Sequence, residues 1–301
     1  MPDKDLKTRG NLLARVLVIL LSVSLAGAIG FRIYLSLKEY NEYKASVELY
    51  SEFIILDDSD FPVFDLSEWV DNIFEATDPP SSGSETKIPE DTAVSGSVTE
   101  APDTRTPEEK YADFLNQLKW LKSSREDFVC WIHISNTSVN YPVVLGADND
   151  YYLTHDIYGR RNSLGSIFAD YQNSSLESDR NFVIYGHRAN YSVMFNNLGR
   201  YFQGSFFENN RYITLYTVEY VYIYEIYAAY KSSMHSNFNQ VIFPSGGSFL
   251  RHMNFFKDGA EKSRDIELKE TDRILTLSTC TNIDQSERYV IQARLVKRAV
   301  N

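Results

Sequence analysis

Hydrophobic and polar positions divide the chain into three stretches. Residues 16–31 form an uncharged run rich in Leu, Val, Ile and Ala, and a second uncharged run follows at 33–37. The first run alone is shorter than the ~20 apolar residues that cross a bilayer as a helix, but arginines at its ends, Arg15 and Arg32, can snorkel and lengthen the usable span. From about 51 to 105 the periodicity disappears into Asp, Glu, Ser, Thr and Pro. Such a stretch buries too little apolar surface to offset the entropy of ordering. Periodicity returns at Thr106-Pro107-Glu108-Glu109, which offers an N-cap, a proline at the first helical position and an acid three residues after the cap. Tyr111, Phe114, Leu115, Leu118 and Leu121 then recur at helical spacing, predicting one amphipathic helix to about Ser123.

Beyond that helix, short apolar runs alternate with turn residues and predict strands at 128–134, 139–144, 166–169, 181–185, 212–217, 219–230, 273–279 and 288–296. Such a series implies a mainly β domain, closed or sandwiched. Helical patches are predicted at 192–201 and 248–257. The second lies in a long connection, about 232–271, that precedes the strand ending in Cys280.

Charge sharpens this division. The net charge is -11, yet residues 1–45 carry 7 basic and 4 acidic side chains, residues 46–110 carry 3 and 17, and residues 111–301 carry 20 of each. The acidity therefore belongs to the middle stretch, and no segment has the basic, aromatic-interleaved character of a nucleic-acid surface. Lys4, Lys7, Arg9 and Arg15 favour a cytoplasmic N-terminus with the rest of the chain outside. Ala26-Gly27-Ala28 also has the small-x-small character of a signal-peptide cleavage site; either reading exports the remainder. The organisation expected is a cytoplasmic tail and transmembrane anchor at 1–45, an acidic disordered spacer at 46–105, and a folded domain at 106–301.

The two cysteines, Cys130 and Cys280, cannot build the paired CxxC ligands of a structural zinc site, and neither a metal nor another cofactor is expected. Cys280 ends the apolar run Ile274-Leu275-Thr276-Leu277-Ser278-Thr279, where a rigid strand can hold a thiol at a sheet rim. A thiol needs a base or a cation beside it, because the thiolate is the nucleophile and free cysteine has a pKa of about 8.5. Among the five histidines, His187 directly ends an apolar run, Val183-Ile184-Tyr185-Gly186. Arg288 opens the next strand and could return to the same rim, where a guanidinium can donate to a carbonyl oxygen gaining charge. A surface ion pair for Arg288 and an inert buried cysteine are the competing readings.

The run Thr276-Leu277-Ser278-Thr279-Cys280 followed by Arg288, with Tyr185-Gly186-His187 upstream, resembles the sortases. Over residues 106–298 the segments Asp127-Phe128-Val129-Cys130-Trp131-Ile132, Tyr141-Pro142-Val143-Val144, Asp148-Asn149-Asp150-Tyr151-Tyr152-Leu153 and Gly165-Ser166-Ile167-Phe168 are similar to class B. The resemblance implies an eight-stranded β-barrel and a membrane-anchored cysteine transpeptidase of a Gram-positive bacterium. Such an enzyme cleaves a C-terminal sorting motif of a secreted protein after Thr, holds the acyl group as a thioester, and passes it to an amine of a cell-wall precursor or a pilin lysine. Carried over by position, Cys280 is the nucleophile, His187 the acid and base, and Arg288 the group that steadies substrate and oxyanion. Tyr185, Ser278, Asn149 and Leu153 are expected to line the substrate groove. Cys130 departs from the family's usual small residue and is expected to be a packed, inert thiol. A peptidase that hydrolyses without transfer, or an inactive barrel that only binds, are the alternatives.

Overall fold

The structure is a computed structural model and describes residues 3–51, 53, 56–61, 104–188, 193–233, 235–280 and 287–301. The core of the expected spacer, 62–103, lies outside the described residues. The chain divides into two compact units, one of Met1–Phe53 with Gln117–Asn301, the other of Ile54–Asn116.

In the larger unit nine strands make one sheet: β1 Phe128–His133, β2 Asn140–Leu145, β3 Ile167–Ala169, β4 Asn181–His187, β5 Tyr212–Tyr216, β6 Tyr220–Ser233, β7 Lys262–Ser263, β8 Ile274–Cys280 and β9 Glu287–Val300. Their order is β5-β1-β2-β3-β4-β8-β9-β6-β7, and a further β5–β6 pairing closes the first eight into a barrel. Closure removes the exposed edges that an open sheet would present. The two-residue β7, absent from the sequence expectation, sits outside this ring on β6. Most pairs are antiparallel, but β2–β3 and β4–β8 are parallel. Strands β6 and β9 run longer than the rest. They pair from Tyr220↔Val300 to Ser233↔Glu287, with register shifts between Ile223 and Tyr224 and between Ile226 and Ala228. Such bulges bend and twist a strand, as closing a barrel requires.

The core is aromatic-rich, with Trp131, Phe168, Phe182, Phe195, Tyr224 and Tyr227 fully buried. A buried polar chain crosses it. Asn181 Oδ1 accepts from Thr276 Oγ1, which accepts from Gln292 Nε2, while Gln292 Oε1 accepts from Tyr227. Each member has a partner, so the chain ties β4, β8, β9 and β6 into one arrangement without an orphaned polar group.

The N-terminal helix α1 spans Asp3–Ser51. Its stretch from Leu17 is long and apolar enough to cross a membrane by length and composition, and its large apolar side chains from Leu17 to Leu37 are exposed. Helix α2, Pro107–Ser124, begins with the capping box that its sequence predicts: Thr106 N donates to Glu109 Oε2 at 2.9 Å and Glu109 N to Thr106 Oγ1 at 3.3 Å. In the smaller unit Lys110 also meets Asp60 at 3.0 Å, and the Phe61 and Phe114 rings pack edge to face. The predicted helix at 248–257 is α3, Gly246–Asp258, with a capping box between Ser245 and Ser248. The patch predicted at 192–201 is a 3-10 segment, Asn196–Phe202.

Candidate active site

The parallel pair β4–β8 organises the site. Its register runs Tyr185↔Ser278, Gly186↔Thr279 and His187↔Cys280, so the last residues of both strands lie side by side. Neighbouring strands stand about 4.8 Å apart. Two residues distant in sequence thus end on one rim.

Gly186 lets β4 come this close to its surroundings. A Cβ there would lie 2.5 Å from Ile167 Cδ1 and 2.7 Å from Phe195 Cγ. Phe195 N in turn donates to the His187 carbonyl at 3.0 Å, which fixes the chain just after the strand.

The His187 side chain is buried, and its Nε2 lies 2.6 Å from the Leu153 carbonyl oxygen. A carbonyl only accepts, so Nε2 carries the hydrogen and Nδ1 is left with the lone pair in the neutral ring. Burial pushes the imidazole below its ordinary pKa. The Leu153 carbonyl works against that shift and the positive charge of Arg288 adds to it. The neutral ring is therefore the favoured form at neutral pH.

Arg288 lies at the start of β9, half-buried, and its Nη1 donates to the Thr279 carbonyl at 3.2 Å. Tyr289 N donates to Thr279 Oγ1 at 3.0 Å, pinning the returning strand against the residue before Cys280. The backbone therefore brings Cys280, His187 and Arg288 to one end of β4, β8 and β9.

The four expected groove residues are placed in two ways. Leu153, in the 3-10 turn Tyr151–Leu153, meets His187 through its main chain. Ser278 is buried and in register with Tyr185. Tyr185 and Asn149 converge on Asp170: Tyr185 donates its hydroxyl to Asp170 Oδ2 at 2.8 Å and Asn149 Nδ2 donates to the same oxygen at 3.0 Å. Asp170 Oδ1 accepts from Gln172 N, and Asn239 Nδ2 donates to the Tyr185 hydroxyl. Asp170 and Asn239 escaped the sequence reading. Asp170 carries the signal that picked out His187 and Cys280, a polar residue directly ending an apolar run, here β3. Cys130 is a free, fully buried thiol whose pKa burial drives up. Among the described residues no group of three or more His, Cys, Asp or Glu could hold a metal ion.

A cysteine and a histidine thus stand in register at the ends of two parallel strands of a closed barrel, with an arginine at the start of the third. Residues 132–296 match the family model for the sortase domain. Sortase B of Staphylococcus aureus is 31% identical over 183 residues, covering 60% of this chain and 75% of that protein. For sortase B of Listeria monocytogenes the identity is 32% over 191 residues, covering 61% and 75%. The solved Staphylococcus aureus sortase B–substrate complex is similar with a TM-score of 0.57 at 30% identity, over 60% of this chain and 85% of that one. The chain belongs to the sortase family of cysteine transpeptidases, and these relatives are its class B.

Proposed function

We propose that the chain is a membrane-anchored class B sortase that cleaves a C-terminal sorting motif after Thr and transfers the protein to an amine. Cys280 as thiolate attacks the Thr carbonyl; a C–S bond forms, and the C–N bond to the following residue breaks. His187 supplies the proton that the departing amine needs, from Nδ1, and takes one from the incoming amine. The thioester then yields to that amine, from peptidoglycan precursor or a pilin lysine, and the thiolate is regenerated. Arg288 holds its charge throughout and serves the oxyanion and substrate electrostatically. Asn149, Leu153, Tyr185 and Ser278 line the groove, α1 is the anchor, and the barrel lies outside the cell.

The observation that carries this reading is the β4–β8 register, which sets His187 against Cys280, with Arg288 bound to the adjoining Thr279 carbonyl. The low proton affinity of His187 agrees with it. The imidazole is available as a base, and thiolate and imidazolium need form only in a minor fraction of molecules.

Incubation with a panel of fluorogenic sorting peptides, with and without an added amine, tests it. Cleavage that vanishes in Cys280→Ala and yields an amide adduct is expected. Cleavage giving only the carboxylate product means a hydrolase. Equal signals from wild type and Cys280→Ala across the panel would sink the enzymatic reading.

A further inference from the structure

We propose that the loop 154–163, beside the docked end of α1, is a lipid-contacting surface on which Arg161 and Arg160 meet phospholipid headgroup phosphates. The barrel then lies on the bilayer instead of standing away from it on the acidic segment. This rests on α1 being the anchor.

The height of the loop follows from the helix. The last apolar residue of the exposed run is Leu37, followed by Lys38, and Tyr34 and Tyr40 flank that point with half or more of their surface exposed. Tyrosines and a lysine at the end of an apolar span mark the level of the membrane interface. Glu42 lies five residues beyond Leu37, or roughly 7.5 Å along the axis. The headgroup layer is itself about 5–8 Å thick on each side. At Glu42 the helix already touches the barrel: Ser163 Oγ donates to Glu42 Oε2. Residue 163 is therefore carried at headgroup depth.

The contact is fastened farther along. Leu49, Tyr50 and Phe53 are buried, with Tyr50 packed edge to face on Tyr141 at 4.9 Å and Phe53 on Trp131 at 5.6 Å. Burying three large side chains holds this end of the helix against the barrel. Phe53 also stacks on Tyr158 of the loop at 6.4 Å, so the loop and the end of the helix pack on one another.

Between helix and loop lies a cavity of about 720 Å³, lined among others by Lys38, Glu42, Glu48, Asp156, Arg160 and Arg161. Its acids are largely engaged. Asp156 binds Arg160 Nε at 2.8 Å, and Glu42 takes Ser163 and, at 3.9 Å, Lys38. Arg161 is exposed and has no carboxylate partner among the described residues, and the Arg160 side chain is 63% exposed despite its ion pair. A guanidinium presented at headgroup depth matches a phosphate bidentately. A basic group near an anionic leaflet is drawn to it.

Neutron reflectometry on the full chain in supported bilayers tests this, using phosphatidylcholine alone and phosphatidylcholine with phosphatidylglycerol. Barrel density continuous with the headgroup layer is expected, together with a change of height or tilt for Arg161→Glu in the phosphatidylglycerol bilayer. Arg161→Gln, which only removes the charge, should give a smaller change in the same direction. A barrel separated from the headgroups by a water layer wider than they are, about 5–8 Å, overturns the proposal. So do identical profiles for wild type and both variants in both bilayers. Failure of the anchor itself reads differently: the chain would then be lost from the bilayer on an alkaline wash.

Discussion

His187 gives its Nε2 hydrogen to the main-chain oxygen of Leu153 at 2.6 Å. That bond selects the tautomer and leaves Nδ1 for proton transfer. Burial and Arg288 hold the ring's pKa below its ordinary 6.5, opposed by the Leu153 carbonyl. The ring C–H resonances of His187 in Cys280→Ala should therefore titrate below 6.5. In Cys280→Ala with Arg288→Gln the midpoint should rise, because a like charge has been removed. A midpoint that stays put or falls would mean that Arg288 does not act on the ring.

Arg288 itself should prove costly to replace. Loss of a donor aimed at a developing oxyanion typically lowers kcat about 10²–10³-fold. Arg288→Ala should lose activity on this scale with little change in Tm. Arg288→Lys should recover only part of it, since an ammonium lacks the planar fork. Steady-state kinetics beside a thermal melt separates the two effects.

Gly186→Ala should fail for steric reasons. The new methyl meets Ile167 Cδ1 at 2.5 Å and the Phe195 ring at 2.7 and 2.8 Å, all within a packed core. Overpacking of this kind typically costs about 1–3 kcal/mol. Activity should fall further than stability alone explains, because the strand end that carries His187 must shift. Denaturant unfolding with parallel rate measurements checks this.

Asp170 gathers Tyr185 and Asn149 on one carboxylate oxygen. Asp170→Ala leaves a buried hydroxyl and an amide short of an acceptor, at about 1–3 kcal/mol for such a group. As a positioning residue it should raise KM more than it lowers kcat. Asp170→Asn should restore part of the stability. An unchanged KM for a sorting peptide would contradict the role.

Helix α3 adds a second acid-sensitive histidine. His252 lies between Phe243 and Phe256, each ring about 5.0 Å away, and burial lowers its pKa to about 4. The neutral ring is favoured in the fold, so the stability it contributes is complete above pH 6.5. It is lost as pH falls from there toward about 4. His187, shifted the same way, adds to the loss. Melts of His252→Phe should show a smaller drop in Tm between pH 7 and acid than wild type; an equal drop would refute the assignment.

The sequence by itself determined the strands, because alternation and turn residues are local properties of the chain. It also determined the α2 capping box and the candidates Cys280, His187 and Arg288, since each ends or begins an apolar run. Strand lengths were less legible. Strand β9 continues to Val300 through Lys297 and Arg298, whose charge masks a strand that pairs with β6 to its end. Only the tertiary structure decided that β4 and β8 are parallel neighbours with His187 opposite Cys280. Register between strands far apart in sequence is fixed by barrel closure and by packing such as that around Gly186, which no local pattern encodes. The same holds for Asp170, whose role comes from two partners on other elements, and for the seating of α1 on the barrel. Tyr50 in its last turn and Phe53 just beyond it read as part of a linker until Tyr141 and Trp131 are there to bury them.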